Sequence, residues 1–391
     1  MSHHEAQASV IYAPRIFVEP EELAAHWSSP ARVRQRLVAL PRSFRLGTAV
    51  ALRGVYVIGA LAVFILALEL LKSGAGGLEP VLDGISADGV TGLLGFGWLG
   101  SYLVMSGSPV AAIALSLYSG GTVSDLEAFA MINGSRLGAS FIVLFVGFLY
   151  YIGRRRDPDS IYIGVVALLT AITLWAPVIP LGTLALKEGW FDGVSIGSPG
   201  ALVSFVDVTF DPVVERAGEQ MPRLALFALG VPALLAAFYI FDRALPNLET
   251  PGPTFERISR LAQQRLPMFA FGAIVTLLTL SVSLSLTILV PLTMKGYLRR
   301  QHLIPYIMGA NITTWIDTFF ASLLLNTPRA STIVFTQMVV GAGLSLAVLL
   351  LAYGPYSRAL LALAHRITSS RRDFVIFLGT ILIVPGILLA V

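Results

Sequence analysis

The stretch Leu280 to Asp317, LSVSLSLTILVPLTMKGYLRRQHLIPYIMGANITTWID, decides how the rest of the chain is read. It sets Ser281, Ser283, Ser285 and Thr287 in an apolar segment, passes a basic turn at Lys295, Arg299 and Arg300, and closes on Gly309-Ala310-Asn311-Ile312-Thr313-Thr314. Hydroxyl and amide side chains inside apolar sequence suit a dehydrated ion or oxyanion, because nothing else there replaces the water it loses.

The pattern occurs twice. A shift of 175 residues lays Met105-Ser106-Gly107-Ser108 over Leu280-Ser281-Val282-Ser283, and Gly134-Ser135-Arg136 over Gly309-Ala310-Asn311, without a gap. From Gly92 to Ser140 this register holds ten identities in 49 positions, among them Phe96 and Gly97 over Phe271 and Gly272. Hydrophobicity alone aligns leucines; it does not align serines and glycines.

With 391 residues, 55% of them hydrophobic, only 13% charged, and a mean hydropathy of +0.78, the chain reads as an all-α polytopic membrane protein. The absence of cysteine excludes disulfides, zinc-thiolate sites and thiol catalysis. Residues 1–48 are polar and basic and hold no apolar core of signal-peptide length. They read either as an interfacial helix on an anionic cytoplasmic leaflet or as a flank that orients the first span.

Apolar segments are expected at 50–71, 91–118, 125–152, 159–180, 223–243, 267–294, 302–325, 331–353 and 373–391. Basic clusters at 31–45, Arg154 to Arg156, Arg243 to Arg265, Lys295 to Arg300 and Arg358 to Arg372 mark the cytoplasmic side. The 181–222 stretch, with Glu188, Asp192, Asp207, Asp211, Glu215 and Glu219, reads as an acidic extracytoplasmic loop. These sides agree only if 91–118 and 267–294 each return to the face they left. Folded in half, such a segment has arms of ~14 residues, or ~20 Å, about two thirds of a crossing. Both are therefore expected to be re-entrant helical hairpins. The first opens outward and the second inward, so repeat 1 (49–180) and repeat 2 (223–353) have inverted topology, and 354–391 adds a basic loop and one unmatched C-terminal span. The alternative is that 267–294 is a single long tilted helix and the similarity is compositional. The expected location is the plasma (inner) membrane with a cytoplasmic N-terminus.

The paired serine-rich hairpins and the Gly-Ala-Asn-Ile-Thr-Thr run resemble the sodium-dependent phosphate symporters, whose repeats carry a Gln-Ser-Ser-Ser run and a Gly-Ala-Asn-Ile-Gly-Thr-Thr run. The resemblance covers residues 50–353. It implies cation-coupled (sodium) uptake of phosphate or another small oxyanion by alternating access, with no enzymatic activity and no cofactor. The departures are specific: Met105 and Leu280 replace the glutamines, and Gly107 and Val282 the middle serines. Architecture carries over from the resemblance more fully than the substrate does.

Substrate-binding candidates are Ser106, Gly107, Ser108, Arg136, Ser281 and Ser283. Ser108-Pro109 reads as an N-cap and first helical position, so a helix starting there turns unpaired N–H groups toward an oxyanion. These serines could instead satisfy one another at tight helix contacts. Arg136, within an apolar span, costs ~2.5 to 3.5 kcal/mol to insert and is either an anion ligand or half of an ion pair with Asp317. By the resemblance, cation candidates are Ser285, Thr287, Asn311, Thr313, Thr314 and Asp317, with Asn311, Thr313 and Asp317 the sodium ligands. Expected partners are a small anionic solute, sodium, anionic lipid headgroups and a second copy of the chain, but no nucleic acid.

Asn133-Gly134-Ser135 and Asn311-Ile312-Thr313 match the glycosylation pattern but fall inside the membrane. His26, His302 and His365 stand apart from any carboxylate at metal-ligand spacing. No Walker A, HExxH or GxSxG run occurs, so ATP binding and hydrolysis have no visible apparatus. The remaining classes are a coupled carrier, an uncoupled anion permease or channel, and a scaffold that kept the fold without transport.

Overall fold

The computed structural model describes residues 42–84, 89–153, 158–194, 196–244, 264–279, 281–287, 289–294, 300–327 and 329–391. The expected basic segment up to residue 41, Leu280 and the 295–299 turn lie outside the described residues, as does the side chain of Ser283. Chain contacts separate Met1–Gly54 from Val55–Val391. The described part of the first unit is the start of helix α1 (Arg42–Gly74); the second unit holds the remainder of α1 and every later element.

Among the described residues the secondary structure is helical throughout. After α1 come α2 (Glu79–Gly84), α3 (Gly89–Val104), α4 (Ser108–Ser119), α5 (Asp125–Ala139), α6 (Phe141–Gly153), α7 (Pro158–Trp175) and α8 (Val178–Lys187). Next are α9 (Gly200–Thr209), α10 (Asp211–Gln220), α11 (Arg223–Ala244), α12 (Arg265–Thr279), α13 (Val282–Thr287), α14 (Leu289–Met294), α15 (Arg300–Thr313) and α16 (Trp315–Leu324). The chain closes with α17 (Ala330–Ala347), a five-residue π-turn at Val348–Ala352, α18 (Tyr353–Ser369) and α19 (Arg371–Leu389). Among the described residues, six stretches are long and apolar enough to cross a membrane: Leu52–Gly77, Asp125–Ile152, Ser160–Lys187, Arg223–Arg243, Ala330–Ser369 and Arg371–Leu389. The protein is thus an α-helical membrane protein.

Four expected elements differ from what is observed. The 125–152 span breaks at Ser140 into α5 and α6. The 302–325 span is two helices meeting at Thr314. The acidic 181–222 segment is not a loop: α8 reaches Lys187, and α9 and α10 are helices of ten residues each. Its many carboxylates do not prevent helix formation, because α10 starts with Asp-Pro at its first turn, where both residues are favoured. The 331–353 span runs on through the π-turn to Ser369.

Local sequence explains most breaks. α5 starts at a capping box in which Ser124 Oγ accepts from the Glu127 N–H and the Glu127 carboxylate accepts from the Ser124 N–H at 2.7 Å. Between α3 and α4 the chain turns at Met105, whose φ of 56° is a left-handed conformation that a side chain makes costly, by ~1 to 3 kcal/mol. Pro109 then sits in the first turn of α4.

Tertiary packing rests on two glycine crossings. A Cβ on Gly97 would lie 2.1 Å from the Met131 carbonyl oxygen, and one on Gly134 would lie 2.1 Å from that of Leu94, so α3 and α5 touch backbone to backbone. At the second crossing a Cβ on Gly272 would lie 2.1 Å from the Tyr306 oxygen and one on Gly309 would lie 1.9 Å from that of Phe269, joining α12 to α15. The glycine of the Gly-Ala-Asn-Ile-Thr-Thr run therefore permits a helix contact. α19 packs on α3: Tyr102 Oη donates to the Ile381 carbonyl at 3.1 Å, and Gly95 faces the backbone of Pro385 and Leu389.

Candidate functional site

The break at residues 105–107 and the start of α13 come to the same place. A cavity of about 400 Å³ is lined by Met105, Ser106 and Ser108 from the first break, by Ser281 and Thr287 from the second, and by Asp242 from α11. Its apolar wall includes Ile142 and Val146 of α6 and Phe238 of α11. Of the sequence-derived substrate candidates, Ser106, Ser108 and Ser281 are thus brought together, and Thr287, expected at a cation site, joins them. Gly107 backs onto α5, where a Cβ would lie 2.8 Å from the Ser135 oxygen, so only glycine permits the tip to seat there.

Arg136 goes elsewhere. It is 2% exposed and lies in a buried polar stripe on α5 with Asn133 and Ser140, at the three- and four-residue spacings that share a helix face. Its Nη1 donates to Thr314 Oγ1 at 3.0 Å and its Nη2 to Thr318 Oγ1 at 2.5 Å. The guanidinium carbon lies 4.4 Å from the ring centroid of Trp315, which meets Trp175 edge to face. Thr318 Oγ1 in turn donates to Asp317 Oδ1 at 3.0 Å, and the Thr318 N–H to the same oxygen at 2.5 Å. Arg136 and Asp317 are therefore linked through a threonine hydroxyl, an arrangement that sequence spacing does not reveal. A cation–π stack and two charged hydrogen bonds account for a guanidinium inside apolar sequence.

The expected cation ligands divide among three places. Ser285 belongs to a closed network: its hydroxyl accepts from Thr276 Oγ1 at 2.8 Å and lies 2.9 Å from Tyr306 Oη. Thr313 Oγ1 donates back to the Gly309 carbonyl at 3.1 Å, a local helix contact. Thr314 accepts from Arg136. Asn311 is buried, and its Nδ2 has no hydrogen-bond partner. Asp317 keeps one oxygen, Oδ2, closed off from solvent and without a geometric partner, although the Ser108 hydroxyl stands beside its carboxylate. Thr313 and Asp317 thus bond to different neighbours, and Asn311 Nδ2 to none.

Sequence reasoning passes over Asp242, yet it is the charged residue lining the cavity. A signal is present: a carboxylate in the last turn of an apolar helix stands at the negative end of the helix dipole, where it is disfavoured unless it has another use. Thr318 and Trp315 escape sequence reasoning as well, because hydroxyl and aromatic residues on a helix are ordinary until a partner is known.

No protein-family pattern, curated protein or solved structure matches this chain.

Proposed function

We propose that this protein is a secondary active transporter that takes up phosphate or another small oxyanion with a coupling cation, by alternating access of one central site. The observation that carries the proposal is the single cavity lined by serines from both helix breaks. An uncoupled permease needs a continuous path, and a scaffold needs no polar cavity at all.

Helix boundaries support the inverted repeat behind this mechanism. Adding 175 to α3 (89–104) reaches 264–279, where α12 lies. The same shift carries α4 onto α13–α14, α5 onto α15, α7 onto α17 and α8 onto the start of α18. It also carries both glycine crossings onto each other, partner atoms included: Gly97 with Met131 becomes Gly272 with Tyr306, and Gly134 with Leu94 becomes Gly309 with Phe269. Chance similarity of apolar sequence does not move both partners of a backbone contact together. α3 and α4, of 16 and 12 residues, are ~24 and ~18 Å long against a hydrocarbon core of ~30 Å, which favours a re-entrant hairpin over two crossings.

In this mechanism Ser106, Ser108 and Ser281 replace part of the hydration of the anion, and the first turn of α4 presents its N–H groups. Arg136 holds α5 to α16 and sets the shape of the cavity from behind. Asp242 opposes a bare anion, so a cation must enter with it. The test is uptake of radiolabelled phosphate into proteoliposomes, then a panel of other oxyanions. Failure of every oxyanion to exchange across the bilayer would refute the proposal.

A further inference from the structure

A second cavity, of about 300 Å³, is walled by Phe64, Phe238 and Phe320 and holds three polar groups, Thr279, Asp242 and Asp317. Asp242 lines this cavity and the solute cavity alike. The two carboxylates differ in access: Asp242 is exposed, whereas Asp317 Oδ2 is closed off from solvent, with the neutral Ser108 hydroxyl beside its carboxylate. A closed-off carboxylate oxygen beside an apolar cavity, with only a neutral hydroxyl near it, has room for a positive ligand.

The neighbouring charges can be counted. Asp317 faces Arg136 of α5 through Thr318 and Ser108 of α4, and shares its cavity with Asp242 of α11 and Thr279 of α12. α1 contributes only Val57, Leu61 and Phe64. On its own helix Asp242 has Tyr239, hydrogen-bonded by Arg243, and α6 brings only Ile142 and Val146 to the solute cavity. Among the described residues, the Arg136 guanidinium and these two carboxylates sum to −1, with the Arg243 guanidinium turned onto the Tyr239 ring. A single monovalent cation makes the sum neutral.

Resting on the transport reading above, we infer that the coupling ion is a proton, taken up through Asp242 and shared between Asp242 and Asp317. Hard metal cations take a shell of about six oxygens, and phenyl rings line much of this cavity. A proton needs one oxygen, and intramembrane carboxylates are the usual carriers of protons. The step is simple: a carboxylate oxygen accepts a proton from water on one side and returns it to water on the other. Because Asp242 faces both cavities, its protonation removes the charge that opposes an anion among the serines.

The experiment uses the full chain in proteoliposomes with the membrane potential clamped and labelled phosphate as the probe. Counterflow at equal pH without sodium tests transport alone. A one-unit inward pH gradient should then drive accumulation of up to about tenfold for one proton per solute, and a sodium gradient should add nothing. Asp317→Asn and Asp242→Asn should each flatten the pH response, and Asp242→Glu should keep it. Asp242 is exposed, so its variants decide the matter if Asp317→Asn does not fold. Counterflow that responds to sodium instead of pH, or a pH response unchanged in both Asn variants, overturns the proton and leaves the transporter standing. If no oxyanion shows counterflow, the transport reading falls. Proton binding is then read in detergent from the infrared carbonyl band of a protonated carboxyl. A band that persists when Asp242→Asn and Asp317→Asn are combined, or is absent from the wild-type protein between acid and neutral pH, overturns the proton as well.

Discussion

Gly309→Ala tests the central packing claim most directly. The added Cβ would lie 1.9 Å from the Phe269 carbonyl oxygen, whereas ordinary contact begins near 3.4 Å, so α12 and α15 must part by about 1.5 Å. A backbone carbonyl within a helix cannot turn aside as a side chain can. Overpacking of this kind costs ~1 to 3 kcal/mol, with the upper end expected where the obstacle is backbone. Replacing glycine by alanine inside a helix returns ~1 kcal/mol, so the expected net loss is ~1 to 2 kcal/mol. Gly134→Ala meets the Leu94 oxygen at 2.1 Å and should behave alike. Gly343 of α17 has nothing within 4 Å, so Gly343→Ala gains the helix term with no clash. Thermal melts of the purified protein in detergent, followed by size-exclusion retention, should place Gly309→Ala and Gly134→Ala below the wild-type protein and Gly343→Ala at or above it. A Gly309→Ala protein that melts no lower than wild type would refute the backbone crossing.

Three further outcomes are expected from the geometry. Arg136→Asn strands the Asp317 carboxylate and should destabilise by ~3 to 5 kcal/mol, while adding Asp317→Asn should recover part of the loss; a double variant no more stable than the single one would show that the two are uncoupled. Because the chain has no cysteine, Glu79→Cys should label from outside the cell and Gln264→Cys only after permeabilisation, and labelling of both from one side would refute the inverted repeat. Ser108→Ala should weaken phosphate uptake by ~1.5 to 3 kcal/mol, roughly 10-fold or more in apparent affinity, with melting unchanged; unaltered kinetics would make this hydroxyl a packing group.

Residue order alone was enough to establish a helical membrane protein, to place most of its apolar helices, and to set two serine-bearing breaks 175 residues apart. These features are local: apolar length, a Ser-Pro helix start and a glycine pair each act through their own few residues. Arg136 also stood out, since a guanidinium in apolar sequence requires a partner. The sequence offered Asp317 as that partner, but the hydroxyls and the ring that carry the link were a tertiary matter. Thr314, Thr318 and Trp315 gain a role only when the Arg136 side chain of α5 reaches them, at a sequence separation of 178 residues for the first hydrogen bond. The neighbours of the expected cation ligands were tertiary too: Ser285 meets Thr276 and Tyr306, and Thr314 meets Arg136. Asp242 shows the limit most clearly. In the sequence it is an acid beside a basic flank, and only the approach of α11 to both helix breaks makes it the charge that two cavities share.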